Sequence, residues 1–181
     1  MSQLNIYRDE SGNGAPEKIT DPEQIARALA PAGIRFEQWE ATAVLTAEST
    51  PDQILAAYRG AVDQLMRERG FVSTDVINVT AGATNVQELR AKFLKEHVHS
   101  DDEARFFVDG SGLFCIHHES TVYAVLCERG DLINVPAGTR HWFDFGADPN
   151  FKCIRFFGTP DGWVAQFTGS DISGRFPKHP G

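Results

Sequence analysis

Apolar positions along the chain follow two different rhythms. In the first half they recur at helical spacing. In "STPDQILAAYRGAVDQLMRERG", Ile54, Leu55, Tyr58, Val62, Leu65 and Met66 make one apolar face, the recurrence of an amphipathic helix. Thr50 and Gln53 enclose Pro51 in a capping-box pattern, and Gly70 ends the run, so this stretch predicts one helix. "TDPEQIARALAPAG" predicts another, with Asp21 as N-cap, Pro22 at the first helical position and Gly33 as the stop. "TNVQELRAKFLKEH" reads as a third, with Asn85 and Glu88 as its cap pair, and it delivers the chain directly to His97.

From about residue 97 the period shortens. "ARFFV", "GLFCIH", "TVYAVLCE", "DLINVP", "RHWFDF" and "FKCIRFF" are short, rich in aromatic and β-branched residues, and bounded by turn signals. "VDGSG" and "ERGD" look like tight connections between antiparallel strands. Many short strands at regular spacing predict a sandwich or barrel. The front half adds helices and two strands, "IRFEQWEA" and "TDVINVT". No repeat or low-complexity linker divides the chain. The expectation is therefore a mostly β protein with α in a single domain, 1–181: a helix-rich front half, about 1–96, and a β core, about 97–170.

Composition narrows the function classes. Hydrophobic residues make up 41% of the 181 residues, enough for a folded core. The net charge of −8 argues against a basic nucleic-acid footprint. No apolar run is long enough to span a membrane, and "MSQLNIYRDE" lacks the basic and apolar regions of a signal peptide. Cys115, Cys127 and Cys153 form no CxxC pair and each lies in an apolar run, so they are expected to be buried thiols in a reducing compartment. The expectation is a soluble cytoplasmic protein, a monomer.

The chemistry concentrates in "EHVHSDDEARFFVDGSG". On a strand, residues i and i+2 face the same side, so His97 and His99 can converge on one ion. Glu103 follows the polar "SDD" and can supply a third ligand. In "GDLINVPAGTRHWFDFG", Pro136 and Gly138 make a turn before His141, which can complete the set from a neighbouring strand. Three imidazoles and a carboxylate suit Fe(II), Ni(II), Mn(II) or Zn(II) and leave two positions open on a six-coordinate ion. HxH pairs also arise by chance as half-exposed polar positions; here the second constellation at Gly130–His141 favours the metal reading. Arg105, two residues after Glu103, shares its strand face. It is either a plain ion pair with a carboxylate or a fixed cation for an anionic substrate. Phe93, Phe143 and Trp163 are pocket candidates or ordinary core aromatics. His117 and His118 in "CIHHEST" are expected in a solvated hairpin turn, and His179 in a mobile Pro-rich tail.

The two segments resemble the two cupin motifs. HxH, three or four residues, Glu, six residues, Gly fits residues 97–110; Gly, five residues, PxG, two residues, His fits 130–141. Phe145 stands where the second motif has Asn, a departure that removes no ligand but touches the usual turn. Within the cupins the chain is similar to the acireductone dioxygenase family. The stretches that carry this are "FLKEHVHSDDEARFFVDGSGLF", "LINVPAGTRHWFDFG", "GWVAQFTGSDI" and, in a helix-rich front half that also resembles the family, "GIRFEQWEA"; the similarity thus extends over almost the whole chain. The resemblance implies a cupin-type β-sandwich or jelly-roll barrel holding one Fe(II) or Ni(II) on His97, His99, Glu103 and His141. It implies O₂-dependent cleavage of 1,2-dihydroxy-3-keto-5-methylthiopentene in methionine salvage. With Fe(II) the products are 4-methylthio-2-oxobutanoate and formate; with Ni(II) they are 3-methylthiopropanoate, formate and carbon monoxide. Arg105 would stabilise the enediolate, and the methylthio tail would meet Phe93, Phe143 or Trp163. Two alternatives stay open: another cupin oxygenase or isomerase, and a non-catalytic cupin binding module.

Overall fold

The computed structural model describes residues 1–80, 82–159 and 164–180. Its helices are α1 (Pro22–Leu29), α2 (Pro51–Ala57), α3 (Arg59–Arg69) and α4 (Val86–Phe93). Local sequence sets most of their ends. The Asp21 side chain accepts from the Gln24 amide at 2.9 Å at the start of α1. At α2 the capping box forms in both directions: Thr50 N donates to Gln53 Oε1 at 2.9 Å, and Gln53 N donates to Thr50 Oγ1 at 3.3 Å. The single helix expected from the periodicity is nevertheless two. The backbone leaves helical geometry at Tyr58, with φ −115° and ψ 15°. The Tyr58 ring is held edge-on against Phe106 at 5.3 Å between centres, and Gly60 just beyond contributes poor helix propensity. The Asn85 cap pair is also corrected. Asn85 sits in the left-handed region, φ 68°, and makes no side-chain cap bond; N-caps that bond the first-turn amides are typically extended.

Among the described residues, twelve strands build two antiparallel sheets. They are β1 (Gln3–Tyr7), β2 (Glu17–Ile19), β3 (Arg35–Gln38), β4 (Ser73–Thr80), β5 (His97–Val98), β6 (Glu103–Asp109), β7 (Ser111–His118), β8 (Thr121–Glu128), β9 (Asp131–Val135), β10 (Arg140–Asp144), β11 (Asn150–Phe157) and β12 (Gln166–Phe167). The first sheet has the order β12-β5-β10-β7-β8-β1-β2, and the second β3-β9-β6-β11-β4. The front half thus supplies four strands rather than two, and β1 and β2 carry no signal strong enough to read in advance. Among the short connections in the β core, "CIHHEST" is a hairpin, with His118 paired to Thr121. "VDGSG" and "ERGD" are short but are not hairpins: β6 and β9 belong to the second sheet, β7 and β8 to the first. Each connection carries the chain across the sandwich.

Apolar side chains fill three layers. Between the sheets lie Phe107, Phe114, Ile116, Val125, Phe143 and Phe151, with Ile25 and Leu29 of α1 closing the edge. Outside the second sheet, Ile54, Tyr58, Val62 and Leu65 cover Phe106, Ile154 and Phe156. Outside the first sheet, Ile172 and Phe176 of the C-terminal segment cover Tyr7, Cys115 and Trp142. Strands covered on both faces read as continuous apolar runs, the pattern seen in "ARFFV" and "FKCIRFF". The three cysteines are fully buried as expected, and burial raises the thiol of each, Cys153 to about 11. No helix among the described residues is long and apolar enough to cross a membrane.

The β6–β7 crossing depends on Gly110. Its φ is +69°, and an added Cβ would lie 1.8 Å from the Asn150 carbonyl oxygen and 2.7 Å from Phe151 Cα. Gly138 has φ +74°, but a Cβ there would have no neighbour within 4 Å. Gly138→Ala should therefore cost only the left-handed penalty, about 1–2 kcal/mol. Gly110→Ala should cost that plus the displacement of backbone, about 2–5 kcal/mol in total. Urea unfolding of the two variants measures the difference; equal losses would show that the crossing is not built around this contact.

Candidate active site

β5 has two residues, yet it organises the site. His97 pairs with His141 of β10 on one side and with Phe167 of β12 on the other. His99 lies just beyond β5, and its carbonyl accepts the Gly138 amide at 2.8 Å, which ties the Pro136–Gly138 turn to the first histidine pair. Glu103 comes from the facing sheet, where it opens β6 opposite Val135. The four side chains meet between the sheets, at 5%, 8%, 2% and 2% exposure for His97, His99, Glu103 and His141. Their nearest ligand atoms all lie within 4.8 Å of one another, forming a group able to hold a metal ion.

The outer nitrogens of the imidazoles set their chemistry. Nδ1 of His97 donates to the Lys95 carbonyl at 2.6 Å, Nδ1 of His99 to Val164 at 3.1 Å, and Nδ1 of His141 to Thr139 at 2.8 Å. A carbonyl oxygen can only accept, so each Nδ1 carries the proton and each Nε2 is turned inward as a donor of electrons. Nε2 of His99 and of His141 lie 3.1 and 3.0 Å from the same oxygen, Glu103 Oε2. Either a proton on each Nε2 or one cation among them satisfies those contacts. Three imidazole nitrogens and a carboxylate oxygen fit a divalent transition-metal ion well.

The charges are arranged to match. Burial works against the Glu103 charge, but the Arg105 guanidinium and the bonds from His141 and His99 outweigh it and hold the carboxyl well below its usual range. Burial, helped by His141, pushes His97 down to about 4, so its imidazole is neutral at neutral pH. Burial also acts against His99, but its bond to Glu103 prevails and raises it.

Arg105 is buried, with its Nε donating to Glu103 Oε1 at 2.7 Å. Its guanidinium also lies 4.6 Å from the centre of Phe143, 5.2 Å from Phe114 and 5.8 Å from Phe93. Arg105 thus lies where the strand face it shares with Glu103 puts it, and it is both an ion pair and a cation facing the cavity. That cavity has a volume of about 80 Å³ and is lined by His97, His99 and Glu103 together with Arg105, Phe93 and Phe143. Trp163 lies outside the described residues. A larger groove, about 690 Å³, runs between Trp39 and the α2–α3 layer, but no metal-holding group among the described residues lines it. Convergence of donors, not size, locates the chemistry.

Residues 3–165 match the model of the ARD/ARD′ family. The chain belongs to this family. It is 52% identical over 177 residues to the acireductone dioxygenase of Pseudomonas aeruginosa, covering 98% of each chain. It is 51% identical over 178 residues to that of Pseudomonas syringae pv. syringae, again covering 98% of each. Among solved structures it is similar to the acireductone dioxygenase of Bacillus anthracis with a cadmium ion in its active centre. The TM-score is 0.82 at 31% identity, covering 92% of this chain and 98% of that one. The family match also accounts for the two-sheet cupin fold. Phe145, the departure from the general second motif, is 1% exposed and stacks on Phe151 at 5.7 Å, so it serves the core here.

Two histidine expectations are corrected. His117 is not in a solvated turn. It is 4% exposed, on the outer face of the first sheet, with Nδ1 3.3 Å from Glu96 and Nε2 3.0 Å from Glu10. His179 is not loose. Its ring meets Ser111 Oγ at 2.9 Å, and its amide donates to Asp144 at 2.9 Å. The cavity also contains groups that sequence patterning did not single out: Lys92, Arg155 and Phe167. Arg155 sits directly across from Arg105 on β11 and is paired with Asp75, Nε to Oδ1 2.7 Å. Its signal was available, since an arginine inside "FKCIRFF" is as costly to place as Arg105.

Ring-proton NMR of the ion-free protein tests these electrostatics. His97 should titrate near 4 and His99 above the ordinary 6.5. The signs follow from linkage: His97, depressed, contributes stability present above about 6.5 and lost as pH falls toward 4, whereas the contribution of His99 is present below about 6.5 and lost as pH rises through its raised value. Two histidines titrating together near 6.5 would contradict the geometry.

Proposed function

We propose that the chain is a metal-dependent dioxygenase that cleaves 1,2-dihydroxy-3-keto-5-methylthiopentene with O₂ in methionine salvage, on one Fe(II) or Ni(II) held by His97, His99, Glu103 and His141. The observation that carries this reading is the convergence of three inward Nε2 atoms and Glu103 beside a buried Arg105, in a chain 52% identical to an acireductone dioxygenase. A binding module gains nothing from a buried cation aimed at an ion site, and burying one is costly.

The bound ion would supply chelation of the substrate's vicinal oxygens and Lewis-acid stabilisation of their negative charge. The protein's own residues do the rest. The Nδ1 bonds to Lys95, Val164 and Thr139 keep the three imidazoles oriented without reorganisation. Arg105 places a permanent positive charge beside the developing enediolate, and its bond to Glu103 holds that charge in position. Phe93 and Phe143 offer an apolar wall for the methylthio tail and keep water away from the reacting carbons. Products differ with the ion: 4-methylthio-2-oxobutanoate and formate with Fe(II), and 3-methylthiopropanoate, formate and carbon monoxide with Ni(II). The chain is assigned as a monomer whose residues 1–181 act as one domain. Cytoplasmic location accords with the three reduced, buried thiols.

The test is reconstitution of metal-free protein with each ion separately, followed by product analysis. Formate should appear with both ions, and carbon monoxide only with Ni(II). Consumption of the substrate without formate would point to another cupin reaction. His141→Ala should lose most of the bound metal and all turnover; full metal occupancy would remove His141 from the ligand set.

Arg105→Ala should retain metal and lose about 100- to 1,000-fold in turnover. Arg105→Lys should recover little, because an ammonium lacks the planar fork. Metal content must be read beside the rate, since the variant leaves Glu103 without its guanidinium. Wild-type turnover by Arg105→Ala would make Arg105 purely structural.

A further inference from the structure

The cavity is cationic inside, but the chain around it is not. Net charge is −8, so an anionic enediolate approaching from solvent meets a repulsive field. The end of α4 interrupts that field. Lys92, in its last turn, lines the cavity. Lys95 follows one residue past the helix cap, and its Nζ lies 5.9 Å from the centre of the Phe167 ring. Phe167 lines the same cavity, is 47% exposed and has its ring 6.0 Å from that of His97, which puts it at the mouth. Arg90, on the same helix, is already matched by Asp144, Nε to Oδ1 2.6 Å and a second bond at 3.0 Å. Among the described residues, Lys92 and Lys95 enter no ion pair. Two uncompensated ammonium groups therefore stand at the entrance to a site that receives an anion.

We propose that Lys92 and Lys95 form the electrostatic entrance of the site and set its second-order rate for anionic enediolates, an inference that rests on the acireductone reading. Cations near a helix C-terminus also suit the helix dipole, so the experiment must separate attraction of substrate from support of α4. The paired variant Lys92→Gln/Lys95→Gln should lose about 10-fold in kcat/KM at about 10 mM ionic strength, where charges act over about 30 Å. The loss should shrink below about twofold near 1 M salt, where the range is about 3 Å. kcat should stay close to the wild-type value. Lys92→Arg/Lys95→Arg should keep the wild-type kcat/KM, because charge rather than shape is required. A role confined to supporting α4 would instead give a lowered thermal midpoint and a salt-independent loss, and either that result or an unchanged kcat/KM at low salt overturns the proposal.

A second measurement does not depend on turnover. Extraction of the bound ion by pyridine-2,6-dicarboxylate, a dianion, should slow in the Gln variant, while extraction by neutral 2,2′-bipyridine should not. If the wild-type protein fails to convert acireductone but this difference appears, the functional reading falls and the entrance stands. If the two chelators are affected equally, or not at all, the entrance is wrong whatever the substrate.

Discussion

A carboxylate sealed between two β-sheets must be surrounded by positive charge, and much of this molecule is arranged around that demand. Glu103 is 2% exposed. Desolvation of such a group costs several kcal/mol unless it is compensated. One oxygen takes the Arg105 guanidinium at 2.7 Å; the other faces His99 and His141 at 3.1 and 3.0 Å. A divalent ion among those imidazoles would add further positive charge beside it. The need is shared across the sandwich, because the carboxylate belongs to one sheet and the paired histidines to the other. The group able to hold a metal thus joins the two layers of the sandwich.

The rest of the fold protects the geometry of that joint. Each imidazole is held by a backbone carbonyl rather than by a side chain that can rotate away, and the carbonyls come from residues 95, 139 and 164. β5 and β12 are two residues each, too short to be stable alone. The buried Glu96 helps to hold them: its carbonyl accepts the Thr168 amide at 3.1 Å, and its side chain meets His117 at 3.3 Å and Thr168 Oγ1 at 3.2 Å. The C-terminal segment contributes as well. The His179 amide and Arg90 share the Asp144 carboxylate, linking the tail to α4, which carries Phe93 and Lys92 to the cavity. Burial opposes the Asp144 charge, but Arg90 and the two amides outweigh it and keep the carboxyl below its ordinary range.

Much of this was legible in the residues alone, where the signal is local. Capping at Asp21 and Thr50 depends on a side chain and a backbone amide three residues apart, and these bonds form. The six β segments after residue 97 are visible because each is short, apolar and bounded by turns. The convergence of His97, His99, Glu103 and His141 was legible because a group able to hold one ion needs particular spacing: i and i+2 on a strand, a short loop, and a turn that returns the chain. Arg105 followed from the same alternation.

Relations between distant segments were not legible in that way. "VDGSG" and "ERGD" have the composition of hairpin turns, yet each crosses between sheets, because pairing is chosen by partners far away in sequence. One amphipathic run became two helices when Tyr58 was captured by Phe106. His117 looks like a surface residue in a hairpin until Glu10 and Glu96, 107 and 21 residues away, enclose it. Lys92, Arg155 and Phe167 joined the cavity for the same reason. The donor set and its chemistry were written into the residues, since coordination demands particular atoms at particular spacings. Which other charges surround that set was settled by packing in three dimensions, because long-range packing, unlike ligand spacing, leaves no local pattern in the chain.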